Sequence, residues 1–385
     1  MMQWNSEQQE LRDAAVRLGT ALSTGYLERD SAAEFPRDEW KRLSESGLPA
    51  LPFDRRFGGL EQDLLTTMYV LEGFGHGCRD TGLSFSLTTH IVSTGIALQH
   101  FGSPALQERF LPGICTGDLI GAHAITEPDA GSDMLALRTS GRVDGDELVL
   151  NGSKAYVTNG PVADLIVVYV KTDPEGGPFG TTAVLVERDR EGLTVGRPVS
   201  KMGLRTSPLS ELFFDDCRVP LENIIGGRGA GFLVFDHVIS WEVLCSFAVN
   251  AGEMQHRLEK TLDHARNRTQ FGSPIGSFQA VAHRIVDMRI AVDTARRALY
   301  DAALRVSRNE EATVDVAIAK LLTSEANMAT AVAAVQTYGA HGYMTESGAE
   351  HDVRGALAGL IYSGTSDIQR NRIARMMGLN TTVSS

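Results

Sequence analysis

The chain has 385 residues, 43% hydrophobic and 22% charged, a globular mixture that excludes a disordered or collagen-like chain. Its 48 acidic and 36 basic residues give a net charge of −12 with no basic block, which argues against nucleic-acid and membrane-surface partners, since both need clustered Lys and Arg. The four cysteines, Cys78, Cys115, Cys217 and Cys245, lack metal or redox spacing and fit free thiols in a reducing compartment.

The N-terminal stretch from Met1 to Arg12 is polar and carries Glu7 and Glu10, unlike a secretory signal, so a cytoplasmic protein is expected. Residues 1–120 read as a helical domain: Leu64, Met68 and Leu71 share one helix face, and Pro36, Pro49, Pro52, Gly58 and Pro104 punctuate the helices. Residues 121–227 shift to a period near two and read as a small antiparallel β domain. Asp144-Gly145 supplies a tight hairpin turn, and Leu165–Val170, Thr181–Val186 and Glu211–Phe214 are strands. Leu165–Val170 is also the longest clean apolar run, far short of the roughly 20 residues that cross a bilayer. Residues 228–385 read as a C-terminal helical bundle: a long amphipathic helix runs from Phe278, and an Ala-rich helix from Val314 to Tyr338 stops at Gly339. Helix, then sheet, then helix argues against a doubly wound nucleotide fold, which alternates its elements.

Gly227-Arg228-Gly229-Ala230-Gly231 does not complete a dinucleotide fingerprint and reads as a lead into a helix. No histidine has metal-ligand spacing, so a metal site is not expected and each histidine is read as structural. The helix after Gly231 carries the unusual residue. Phe235, Val238, Glu242, Cys245, Val249 and Gly252 form one stripe, apolar or small except at Glu242. No Lys or Arg lies one turn from Glu242 to pair with it. An apolar setting favours the protonated carboxyl, as suits a base that must later hold a proton. The competing reading is a solvent-facing stripe or an Arg partner from another helix.

Five runs then combine in order: Thr126-Glu127-Pro128-Asp129-Ala130-Gly131-Ser132-Asp133, Asn151 through Gly160, Arg268 with Phe271-Gly272 and Gln279, Gln336 through Tyr343, and Ile361 through Arg370. In this order the chain resembles the acyl-CoA dehydrogenase family of flavoproteins over nearly its whole length. The resemblance implies an α+β fold of that type, with an N-terminal helical domain, a middle antiparallel β domain and a C-terminal four-helix bundle. It implies FAD, with flavin contacts at Ile125, Thr126, Ser132, Tyr156 and Thr158. The pyrophosphate and adenosine end would meet Arg268, Phe271, Gln279, Gln336 and Ala340, with Thr365 and Asp367 on the other side. Part of that site would come from a second subunit, hence a homo-oligomer, a dimer of dimers. Ala340 stands where the family usually has Gly.

Many members of the family keep a catalytic Glu at the position of Ser363, and a serine with no evident partner cannot replace it. A smaller group places the base on the earlier helix, which by register from Phe271-Gly272, with Gly252 as a check, is Glu242. The resemblance then implies base abstraction of the proton beside a thioester carbonyl by Glu242. Hydride transfer to flavin N5 accompanies it, and Ser363 and Gly364 offer backbone donors at the carbonyl. The substrate would be a short acyl thioester on a carrier protein or CoA, and the acceptor an electron-transfer flavoprotein or O₂. Val243 follows Glu242 where the family often has a cation, which weakens the case for CoA. The runs Cys78 through Leu87 and Ile239 through Glu242 resemble members acting on carrier-protein thioesters in bacterial secondary metabolism, among them prolyl-carrier-protein dehydrogenases; Arg79 is read either as shaping the acyl pocket or as helix packing. A flavin monooxygenase on the same scaffold and a non-catalytic flavin or thioester binder stay open as alternatives.

Overall fold

A computed structural model describes residues 2–379. The N-terminal part is built from α1 (Ser6–Leu22), α2 (Tyr26–Ala32), α3 (Arg37–Glu45), α4 (Leu64–Gly77), α5 (Thr81–Thr88), α6 (Ala97–Phe101) and α7 (Pro104–Thr116). Short polar residues start several of them: Asn5, Asp63, Asp80 and Ser103 each accept a backbone N–H of the first turn. Between α5 and α6 the chain keeps helical dihedrals but widens to a π-helical stretch, Thr89–Ile96, buried throughout. Such widened turns tend to occur at functional sites.

The sheet follows: β1 (Gly121–Ala124), β2 (Ser140–Asp144), β3 (Glu147–Thr158), β4 (Leu165–Lys171), β5 (Thr181–Glu187), β6 (Leu193–Val195), β7 (Leu209–Pro220) and β8 (Ile224–Ile225). Its order is β6-β7-β3-β2-β4-β5-β8, with β1 beside β4. The expected Asp144-Gly145 hairpin joins β2 and β3, with Gly145 at φ +61°. The sheet is mixed rather than wholly antiparallel. β1 runs parallel to β4 and β2 touches β4 in parallel at Ser140, because the β2–β3 hairpin lies between β1 and β4 in the chain. β4 explains its own apolar run: Leu165, Val167 and Tyr169 join the large core shared with the helices, while Ile166, Val168 and Val170 build a second core on the opposite face. A strand buried on both faces has no polar side to alternate with.

The C-terminal part has three long helices, α8 (Gly231–Asn267), α9 (Gln279–Ser307) and α10 (Thr313–Tyr338). A two-stranded ribbon, β9 (Thr269–Gln270) with β10 (Ser273–Pro274), links α8 to α9. Two short helices, α11 (Ala349–Ala358) and α12 (Ser366–Met376), complete it, so the bundle is not four helices of equal length. α8 is long and apolar enough to cross a membrane, yet 61% of its most apolar window is buried inside the protein. It packs backbone to backbone on α4. A Cβ on Gly75 would lie 2.2 Å from the Val249 carbonyl oxygen, and one on Gly252 would lie 2.0 Å from that of Glu72. That glycine contact fixes the height of α8, and of Glu242 upon it.

Candidate active site

Glu242 sits about a third of the way along α8, 8% exposed, and faces a cavity of about 260 Å³ between α8, the sheet and the turn before α12. The carboxylate is surrounded by neutral groups. The Ser363 hydroxyl donates to its Oε1 at 2.5 Å and the Ser93 hydroxyl to its Oε2 at 3.3 Å. The His123 Nε2 stands 3.4 Å from Oε2. Among the described residues no Lys or Arg pairs with it. The solvent-facing and Arg-paired readings of the stripe are therefore both set aside.

Each neighbour is held by its own element. Ser93 lies in the π-helical stretch. The same stretch pins β1: His90 Nδ1 accepts the Gly121 N–H at 3.1 Å, and the Thr94 hydroxyl donates to the Ala122 carbonyl at 2.8 Å. That fixes His123, the next residue of the strand. Burial pushes the His123 imidazole below its usual range, against the pull of Glu242, so it is neutral at pH 7. Burial also raises the phenols of Tyr169 and Tyr362, and the Glu242 charge adds to both shifts.

The opposite wall is the loop after β1. Lys154, fully buried on β3, donates to Glu127 Oε1 at 2.7 Å and to the Ile125 carbonyl at 3.0 Å. Burial lowers Lys154 to about 8 despite Glu127. Burial tends to raise the Glu127 carboxyl, but bonds from Lys154, Thr139 and Arg138 outweigh it and hold it low. This pair ties the loop to the strand. The Ala155 N–H also donates to the Thr126 carbonyl at 2.8 Å. The β3–β7 register slips between Lys154 and Val157, and Tyr156 there takes φ +56° and is 68% exposed. The slip turns Tyr156 to the cavity side, a usual effect of a bulge.

Of the residues expected at the site, Ile125, Thr126, Ser132, Tyr156, Thr158, Glu242, Ser363 and Gly364 all line this one cavity. Among the described residues the backbone N–H groups of Ser363 and Gly364 have no acceptor, so both are open to a ligand. Arg268, Phe271, Gln279, Gln336 and Ala340 do not line it. They are exposed, Arg268 and Phe271 at the ribbon that follows α8, Gln279 at the start of α9, and Gln336 and Ala340 around the end of α10, with Phe271 94% exposed at φ +53°. Thr365 caps α12, accepting the Ile368 N–H, and Asp367 is exposed in its first turn. One expectation is corrected and one open alternative is decided. Ser363 has a partner after all, Glu242 itself. Arg79 does not reach this cavity. Its guanidinium donates to the Gly75 and His76 carbonyls at the end of α4, because those unpaired carbonyls draw a cation.

His123, Ser93, Gln369 and Arg372 were missed. His123 had a signal, since it lies near the end of β1, two residues before Ile125. Gln369 donates to the Ser363 carbonyl at 2.9 Å, and Arg372 pairs with Asp236 at 2.9 Å on the cavity wall. The four cysteines are free and buried, and among the described residues no cluster could hold a metal.

The chain matches family models described as acyl-CoA dehydrogenase N-terminal domain (residues 5–118), middle domain (122–217) and C-terminal domain (229–378). It is 37% identical to an L-prolyl-[peptidyl-carrier protein] dehydrogenase of a Serratia species, over 99% of both chains. It is 39% identical to a cyclohex-1-ene-1-carbonyl-CoA dehydrogenase of Geobacter metallireducens, over 94% of both. Among solved structures, PigA with FAD and proline superposes with a TM-score of 0.96 at 36% identity, covering 98% of this chain and 99% of that one.

Proposed function

Because the chain belongs to the acyl-CoA dehydrogenase family, we propose that it is an FAD-dependent dehydrogenase that desaturates a short acyl group held as a thioester, with Glu242 as the base. The finer reading is an aminoacyl thioester of the prolyl type on a carrier protein. The observation that carries the proposal is a buried carboxylate, without a cationic partner, facing a small cavity with open backbone donors beside it.

The residues present fit the cofactor. The hydroxyls of Thr126, Ser132 and Thr158 surround the cavity on the sheet side and suit the polar edge of a flavin. The cavity lies just below the roughly 300–1,000 Å³ usual for ligand pockets, enough for a ring system and a short acyl group but not a whole dinucleotide. The rest of the cofactor would extend over exposed side chains such as Arg268, whose guanidinium suits phosphate oxygens. Such exposed positions favour completion by a second copy of the chain, and we propose a homo-oligomer on that ground.

FAD, when bound, supplies the acceptor for the hydride. What this chain supplies is the handling of the proton and the carbonyl. Glu242 takes the proton from the carbon beside the thioester carbonyl and holds it on its carboxyl. The N–H groups of Ser363 and Gly364 stabilise the negative charge that develops on the carbonyl oxygen, where preorganised donors are worth most. With His123 neutral, Glu242 is the one carboxylate among the described residues that line the cavity.

One observation favours the carrier protein over CoA: Val243 adds no cation next to the base. The test is mass spectrometry of prolyl-carrier protein, butyryl-carrier protein and the matching CoA thioesters after incubation with the holoenzyme. Loss of two hydrogens from the carrier-bound prolyl group is expected. Oxidation of the CoA esters alone would refute the finer reading, and no oxidation of any of them would refute the broader one.

A further inference from the structure

Ser363 is one of the few residues other than glycine with a positive φ, at +54°, and Gly364 follows at +85°. A serine does not choose that region, and its persistence needs surroundings that fix it. They are present. Gln369, 5% exposed, donates to the Ser363 carbonyl at 2.9 Å. The Ser366 N–H donates to the Leu360 carbonyl at 3.1 Å. The Tyr362 hydroxyl donates to Asn250 Oδ1 at 3.0 Å, with its ring against Phe85 and Phe247. Strain held this firmly points to a function, and its visible result is the Ser363 hydroxyl aimed at Glu242.

We propose that Ser363 is a positioning residue that acts through the base: α8 aims the Glu242 carboxylate at the cavity, and the Ser363 hydroxyl donating to it favours its charged form before substrate arrives. The proposal rests on the reading of Glu242 as the base. A hydroxyl donating to a carboxylate favours the charged form, and such charge-assisted bonds are short and strong. The need is real here because burial opposes the charge and no cation offsets it. The titratable groups facing Glu242 are His123 from β1, Tyr169 from β4 and Tyr362 from the turn before α12. His123 is pushed down and the two tyrosines up, so all three are neutral around pH 7 and none brings a positive charge to the carboxylate.

The test uses the flavin-loaded protein with Ser363→Ala, Ser363→Gly and Glu242→Gln. Infrared difference titration of each Ser363 variant, with Glu242→Gln identifying the carboxyl band, reports ionisation without turnover. Loss of the donor is expected to move that titration, and the acid limb of kcat/KM for prolyl-carrier protein, to higher pH by about one unit. At a pH below the limb, kcat/KM falls about tenfold, with KM for the thioester little changed. Glycine relieves the strain while alanine keeps it, so equal shifts in both variants assign the effect to the hydroxyl. An unshifted titration in both, with Glu242→Gln inactive, would overturn this proposal alone, as would a shift in alanine but not in glycine. Wild-type turnover by Glu242→Gln would overturn the parent reading and this proposal with it.

Discussion

Glu242→Gln is the sharpest perturbation of the site. Glutamine keeps the shape of the side chain and an oxygen that accepts the Ser363 hydroxyl, and it removes only the basic group. A positioned general base contributes typically about 10²–10⁴-fold. The structure places this case in that range by asking what else within reach accepts a proton. The hydroxyls of Ser93 and Ser363 do not, at any ordinary pH. His123 does, because it is neutral and its Nε2 stands 3.4 Å from the position of the lost oxygen. A weak substitute of that kind leaves the loss near the middle of the range, about 10³-fold or about 4 kcal/mol of barrier. Adding His123→Asn is expected to deepen it toward 10⁴-fold. The assay is anaerobic mixing with the carrier-bound thioester, following bleaching of the yellow flavin absorbance in a single turnover. Flavin content and melting temperature should match the wild type. A yellow, folded Glu242→Gln protein that bleaches at more than about a tenth of the wild-type rate would refute the argument, since His123 is only a weak substitute at that distance.

Other outcomes follow from packing and charge. Ser363→Gly should raise stability by about 1 kcal/mol in chemical denaturation, because glycine occupies φ +54° without strain, even as activity falls. Gly252→Ala should cost about 1–3 kcal/mol and lower the melting temperature, since its methyl meets the Glu72 carbonyl and forces α8 away from α4. Glu253, 4% exposed, gives a pH effect of known sign: burial raises its carboxyl from 4.5 to about 7. Between those values the folded chain binds more proton than the unfolded one, so stability falls as pH rises through the window. The fall should be about 3 kcal/mol, and Glu253→Gln should flatten it in denaturation measured across that range.

The local features were legible because they depend on neighbours in the chain. Asp144-Gly145 closes its hairpin from two residues, and the Glu242 stripe follows from helical period alone. The β1–β4 pairing was not legible, because it joins segments separated by a hairpin whose own pairing is satisfied either way. The Ser363–Glu242 bond spans 121 residues and rests on an unusual dihedral, so neither period nor motif could show it. Arg79 was left open between pocket and packing for a different reason. A resemblance of sequence locates a residue near a site, but a helix end with unpaired carbonyls competes for its guanidinium and wins.

The placement of the base on α8 has a mechanical consequence. Glu242 is set by a helix locked on α4 through Gly75 and Gly252, whereas Ser363 sits on a turn held by the Gln369 amide, the Ser366–Leu360 backbone bond and the Tyr362–Asn250 contact. His123 is set by a third anchor, the π-helical stretch. Position and ionisation of the base are therefore controlled by different elements. Changes in the turn should alter the pH at which the base is ready without moving it, while changes at the α4–α8 glycines should move it without altering its donors. Were base and donor both carried on the turn, any change there would affect both at once. Gln369→Leu separates the two designs: it frees the Ser363 carbonyl and loosens the hydroxyl. On this reasoning the acid limb shifts in the same direction as in Ser363→Ala, while single-turnover bleaching well above the limb stays within about threefold of wild type. A collapse of the rate at high pH would mean that the turn also sets the geometry of proton transfer, and the division of labour between helix and turn would not hold.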